Sequence, residues 1–259
     1  MNKRANLSSL LLMLAIGAGT SQGAALIGAW DFEDAGDIGA ASFGADLTVE
    51  GTAPTHAATL ADDDGTVLSG VITTTAGVGN HLRAMNPIGG NGGGSFTNDY
   101  SLVVDLFSPA DSRNSWRTIY QTNVANSNDG DYFIRNSDDA LGVAALNYSG
   151  TPIDETSWTR LVITFDNDVE AIAYLDGAPF FTHGTPGIDG RFSLDPTFIL
   201  FGDNDGDNAP LNIGGVAFFD GVLSTAEVAA LGVAGAPIPE PSSLVLLGLA
   251  GVGLLRRKR

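Results

Sequence analysis

Cysteine is absent from all 259 residues, which excludes disulfide staples, thiolate metal sites and cysteine nucleophiles. Lysine is confined to the two ends, as Lys3 and Lys258, so everything between them relies on arginine for positive charge. Glutamate is scarce, with six residues, and no two of them form the pair of carboxylates on one strand face, roughly 5 Å apart, that a retaining glycosidase requires. Asp31 and Glu33 are expected on one strand face, but without a third acid in register. Only three histidines, His56, His81 and His183, are present, and none has a nucleophile-elbow glycine motif nearby. They are expected as loop or surface residues. Helical periodicity is nearly missing as well, which excludes a bundle.

What is present is acid and glycine. Residues 24–236 carry 29 acids against six arginines, a net charge of about −23. Such a surface repels nucleic acid and anionic membrane, and it favours divalent cations. The 34 glycines fall largely in turn clusters between short β-rich runs. A span of this length suits one large all-β domain with a real core.

The runs expected as strands are 100–107, 116–121, 132–134, 141–146, 158–165, 169–175, 197–202 and 212–219. Leu161, Ile163 and Phe165 alternate and share a face, and Asp176-Gly177 is a hairpin-turn pair. Trp30 and Phe32 are placed together on one side of an early strand, and Trp30 and Trp158 are expected in the core. The single credible helix runs over 224–231, where Ser224 and Glu227 have capping-box spacing. Many short strands punctuated by turns read as a β-sandwich.

Three segments carry a family resemblance. Trp158 with its apolar strand, then Tyr174-Leu-Asp176-Gly177, form the first. Residues 215–231, a closing strand followed by Leu223-Ser224 and Glu227, form the second, and Ala29-Trp-Asp-Phe-Glu33 the third. Together they resemble the LamG-like group of the concanavalin A-like lectin/glucanase superfamily over 26–232. The resemblance implies an all-β, two-sheet antiparallel jelly roll. It does not imply one function, because that superfamily holds lectins, glycosidases and adhesion modules.

The best metal candidate is the loop Asp203-Asn204-Asp205-Gly206-Asp207-Asn208, whose alternating oxygens and turn glycine suit Ca²⁺. It is not an EF-hand, because position six is Asn208 and position twelve is Gly214. The same residues also read as a solvated acidic turn. LamG-like domains often hold one Ca²⁺ at the sandwich rim, which the resemblance carries over to this loop. Residues 126–131, with Asp129 and Asp131, are a weaker version. Candidate sugar platforms are Trp116, Tyr120, Tyr132 and Tyr148, aromatics beside polar loops; core packing is the other reading of all four.

The two ends read as targeting segments. Lys3-Arg4, an apolar stretch and then small residues follow the order of a secretory signal peptide over 1–23. At the other end Pro239-Glu240-Pro241 precede an apolar run, 244–255, and four cations, 256–259. As a helix that run spans ~18 Å, well short of the ~30 Å hydrocarbon core. Residues 233–259 read as a linker and tail, of which the last 23 residues closely resemble the PEP-CTERM sorting tail of Gram-negative bacteria that make extracellular polysaccharide. The resemblance implies export, transient inner-membrane tethering, and processing near Pro239, Glu240 and Pro241 by an exosortase-type enzyme. An ordinary C-terminal anchor is the alternative. The expectation is a non-catalytic surface or extracellular-matrix protein that binds polysaccharide or a protein partner, with Ca²⁺ as the candidate cofactor. A ligand-free spacer and a glycoside-active enzyme stay open as other readings.

Overall fold

The structure is a computed structural model that describes residues 24–125, 129–203 and 205–238. The leader 1–23, the processing residues Pro239, Glu240 and Pro241, and the apolar run 244–255 lie outside the described residues. Among the described residues no helix is long and apolar enough to cross a membrane.

The chain opens with β1 (Ala25–Trp30), β2 (Thr48–Glu50), β3 (Thr55–Ala61), β4 (Val67–Thr73) and β5 (His81–Met85). It continues through β6 (Asp99–Phe107), β7 (Arg117–Gln121), β8 (Asp131–Ile134), β9 (Ala140–Val143) and β10 (Asn147–Pro152). The last strands are β11 (Thr159–Asp166), β12 (Glu170–Leu175), β13 (Ala178–Thr182), β14 (Thr197–Leu200) and β15 (Asn212–Asp220), followed by α1 (Thr225–Leu231). Two antiparallel sheets result. One has eight strands in the order β13-β12-β11-β6-β15-β4-β3, with β1 also on β15. The other has seven, in the order β10-β9-β8-β7-β14-β5-β2.

Period-two alternation decides which residues meet between the sheets. Leu161, Ile163 and Phe165 of β11, Leu102 and Val104 of β6, and Val216 and Phe218 of β15 enter the main core. They meet Leu82, Tyr120, Tyr132, Phe198 and Leu200 of the other sheet. Tyr100, Phe165 and Phe192 stack in a column, with centroids 4.8 and 5.8 Å apart. The alternate residues Val103, Val162, Ala217 and Phe219 point outward from the eight-stranded sheet. They are covered there by Val228 and Leu231 of α1.

The helix starts where its sequence requires. The Ser224 hydroxyl accepts from the Glu227 N–H, and the Glu227 carboxylate accepts from the Ser224 N–H at 2.8 Å. Ser224→Ala should cost about 0.5–2 kcal/mol in urea unfolding. A loss under about 0.3 kcal/mol would show that packing alone holds the helix.

Three expectations need correction. β1 ends at Trp30, and Phe32 sits in the left-handed region (φ 54), so Trp30 and Phe32 are both buried but do not share a strand. The same break takes Asp31 and Glu33 off any common strand face. The histidines are not all surface groups either: His56 and His81 lie on strands, and His183 is buried, 2.7 Å from the Tyr132 hydroxyl.

Candidate functional site

β7 and β8 pair with Tyr120 opposite Tyr132 and Gln121 opposite Asp131. The two tyrosine rings stack, and the Tyr120 hydroxyl lies 3.1 Å from the Tyr100 hydroxyl on the opposing sheet. Tyr120 and Tyr132 are therefore core residues, with at most 1% of their surface exposed, and offer no face to a sugar. Burial pushes both phenols up in pKa. Each hydroxyl keeps a polar partner, as buried tyrosines require.

Because Tyr132 points in, alternation turns Asp131 and Phe133 to the other side of the seven-stranded sheet, where Phe133 is nonetheless covered, 8% exposed and joined to the main core cluster. Trp116, just ahead of β7, meets Phe133 edge-on at 5.3 Å and Tyr148 at 6.2 Å. The Arg135 guanidinium sits 4.1 Å above the Tyr148 ring, within cation–π range. Trp116 and Tyr148 are half-buried and keep part of their surface in water. So two of the four expected platforms come together, seated on the buried Phe133 and flanked by Arg135. Those two were legible only through the alternation Asp131, Phe133, Arg135, once Tyr132 is known to point in.

The acidic loop lies over the same face. Thr118 of β7 donates its hydroxyl to the Asp207 carbonyl at 2.7 Å, which pins the loop across the strand. The Asp203 carboxylate accepts the Asp205 N–H at 2.7 Å, and Gly206 turns the chain at φ 92. Asn208 is committed elsewhere: its side chain accepts from the Gly77 N–H and donates to the carbonyls of Gly77 and Asn80. Its amide fastens a neighbouring loop, so it is removed from the metal-ligating set. Asn204 lies outside the described residues.

What sequence spacing could not show is that the turn before β8 approaches this loop. Burial, then the charges of Asp129, Asp203 and Asp205, push the Asp131 carboxyl up to about 7, against the opposing pull of Arg191. Burial raises Asp203 and Asp207 as well, assisted by neighbouring carboxylates. Asp129 Oδ2 and Asp131 Oδ1 are buried and accept no hydrogen bond among the described residues, a costly arrangement for carboxylate oxygens. No group of three or more acidic or histidine side chains among the described residues stands ready as a coordination shell. The donor set is nonetheless all oxygen, and orphaned buried carboxylate oxygens fit a hard cation such as Ca²⁺.

Residues 94–229 match the family model of the concanavalin A-like lectin/glucanases superfamily, and residues 237–259 match the PEP-CTERM protein-sorting motif. Among solved structures the chain is similar to domain 4 of AbnA, a GH43 extracellular arabinanase from Geobacillus stearothermophilus, in complex with arabinotriose. The TM-score is 0.54 at 17% identity, over 82% of this chain and 100% of that one. It is also similar to the botulinum neurotoxin serotype D ligand binding domain in complex with N-acetylneuraminic acid. There the TM-score is 0.53 at 15% identity, over 80% of this chain and 50% of that one. The binding domain of Paraclostridial Mosquitocidal Protein 1 gives 0.53 at 12% identity, over 80% and 51%. The chain thus spans about half the length of the latter two binding domains. No curated protein matches it. At such identities the likeness shows the fold. The sorting motif implies export, processing by exosortase-type machinery and a cell-envelope or surface location in a Gram-negative bacterium. With more than half its length matched by the family model, the chain belongs to the concanavalin A-like lectin/glucanases superfamily, with a PEP-CTERM protein-sorting motif behind the sandwich.

Proposed function

We propose that this is a non-catalytic surface or matrix protein that binds extracellular polysaccharide on the outer face of its seven-stranded sheet. The observation that carries the reading is one strand face with two kinds of recognition group. Asp131 and Phe133 stand two residues apart on β8, about 7 Å along the strand. The first belongs to the carboxylate cluster, and the second to the Trp116–Tyr148 patch. Aromatic faces and acidic oxygens side by side suit the apolar and hydroxyl-bearing sides of a sugar. The arabinanase domain bound to arabinotriose and the toxin domain bound to N-acetylneuraminic acid support a sugar ligand on this fold.

Asp129, Asp131, Asp203, Asp205 and Asp207 are the residues that would hold Ca²⁺. Bound there, the cation would neutralise mutually repelling carboxylates and offer coordination to sugar hydroxyls. The protein's own groups fix the rest: Thr118 holds the loop in place, and Trp116 and Tyr148 supply the stacking surface.

A glycan array that includes extracellular polysaccharides, read with millimolar Ca²⁺ and with chelator, tests the reading. Wild type should be retained in calcium and released by chelator. Trp116→Ala should weaken retention by roughly tenfold, equivalent to about 1.4 kcal/mol. Absence of any retained glycan would overturn the binding role and favour a structural spacer.

A further inference from the structure

The chain beyond the helix does not hang free. Gly232 turns it (φ 71), and it runs back across the outer face of the eight-stranded sheet. Beneath it stand Asp105 of β6 and Arg160 of β11, directly opposite in register. Arg160 grips the Asp105 carboxylate through Nε and Nη2, both at 2.7 Å. The same guanidinium donates to the carbonyls of Leu231 and Ala236, both at 2.6 Å. Asp105 also accepts the Gly235 N–H at 2.8 Å. Arg160 is 1% and Asp105 3% exposed, so the pair is sealed by the chain it holds.

Packing follows the polar clamp. Ala234 lies against the cluster of Leu68, Phe107 and Trp158, and Ile238 against the cluster that includes Leu26 and Val228. Gly235 sits at φ 76, with Leu68 3.2 Å from where a Cβ would stand, so a side chain there would strain the path. Residues 231–238 form a strap, and a cavity of about 530 Å³ opens beside it between Trp30, Leu68 and Arg160.

The sorting motif begins at residue 237, so its first two residues belong to this strap. We propose that the strap gates processing. While it is seated, the head of the motif is held against the sheet. Exosortase-type machinery then acts on the molecules in which the strap has lifted. Lifting breaks three hydrogen bonds to the clamp and re-exposes a sealed ion pair. An enzyme that reads only the lifted state sees its substrate diluted by the lifted fraction, so one lifted molecule in a hundred slows processing roughly a hundredfold at low substrate. The inference rests on the sorting motif and is independent of the ligand face.

The test follows tail removal by pulse-chase in a host that carries the processing machinery, using the full chain. One variant inserts about eight Gly/Ser residues between Ala236 and Pro237, which frees the whole motif and leaves every clamp hydrogen bond in place. Its tail should be lost at least roughly tenfold faster than in wild type. Arg160→Met should accelerate removal too, and if that variant fails to fold the spacer variant decides alone. Removal at the wild-type rate or slower in the spacer variant would overturn the gate.

Discussion

Arg117→Met should lower the unfolding free energy by about 3–5 kcal/mol, the cost of breaking a buried ion pair from one side. Arg117 is fully buried at the start of β7. Its guanidinium donates to the Ser115 carbonyl at 3.0 Å, the Ser108 hydroxyl at 3.1 Å and the Asp139 carboxylate at 2.8 Å, and it pairs with Glu155. Burial lowers the pKa of this group, and the hydrogen bond and charge of Asp139 oppose that shift. Methionine fills much of the volume but leaves two carboxylates without their cation. The Glu155 side chain is only 10% exposed, so water cannot fully replace the arginine. Urea unfolding gives the number, and a thermal scan should fall by roughly 10 °C. A loss below about 1 kcal/mol would mean that the pair contributes little beyond the hydrophobic volume retained.

Ile163→Ala should cost about 2–5 kcal/mol through lost burial and a residual cavity. Ile163 has no exposed surface and lies in the middle of β11, opposite Leu102 of β6 and Ala173 of β12. Strands on both sides leave its neighbours little room to collapse into the space. Val67→Ala is the matched control: Val67 is 59% exposed and should change stability by no more than about 0.5 kcal/mol. Equal effects at the two sites would place the wrong face of β11 in the core.

These two sites also show what the sequence discloses and what it withholds. The face of β11 is legible because Leu161, Ile163 and Phe165 recur at every second position, with Arg160, Thr164 and Asp166 among the residues between and beside them. Arg117 is not, because the run Arg117-Thr-Ile-Tyr-Gln121 has no polar–apolar alternation to show which side chains turn inward, and all five are buried. The same silence hid the inward direction of Tyr120 and Tyr132. β3, with the sequence Thr-His-Ala-Ala-Thr-Leu-Ala, is an edge strand with little buried surface, so it has no hydrophobic pattern to read. The acidic cluster joins Asp131 to Asp203 through the neighbours β8, β7 and β14, and only that sheet order brings the two loops together. All six arginines of the domain pair with an acid, and two of them, Arg117 and Arg160, are themselves fully buried. Composition shows their number but not their depth.

The carboxylate cluster links pH to both stability and cation binding. Burial and the neighbouring carboxylates raise the Asp131 carboxyl to about 7, above its unfolded value. The folded state therefore holds that proton more tightly, and its stability should fall as pH rises from about 4 to about 7. A cation competes for the same oxygens, so its affinity should rise across that window. The central claim, that the outer face of the seven-stranded sheet is a cation-assisted binding face, is tested most directly by calorimetric titration of Ca²⁺ into chelator-stripped protein above neutral pH. The account predicts a single saturable site whose heat disappears in both Asp131→Asn and Asp203→Asn. No heat in the wild type, or binding that survives both substitutions, would contradict it.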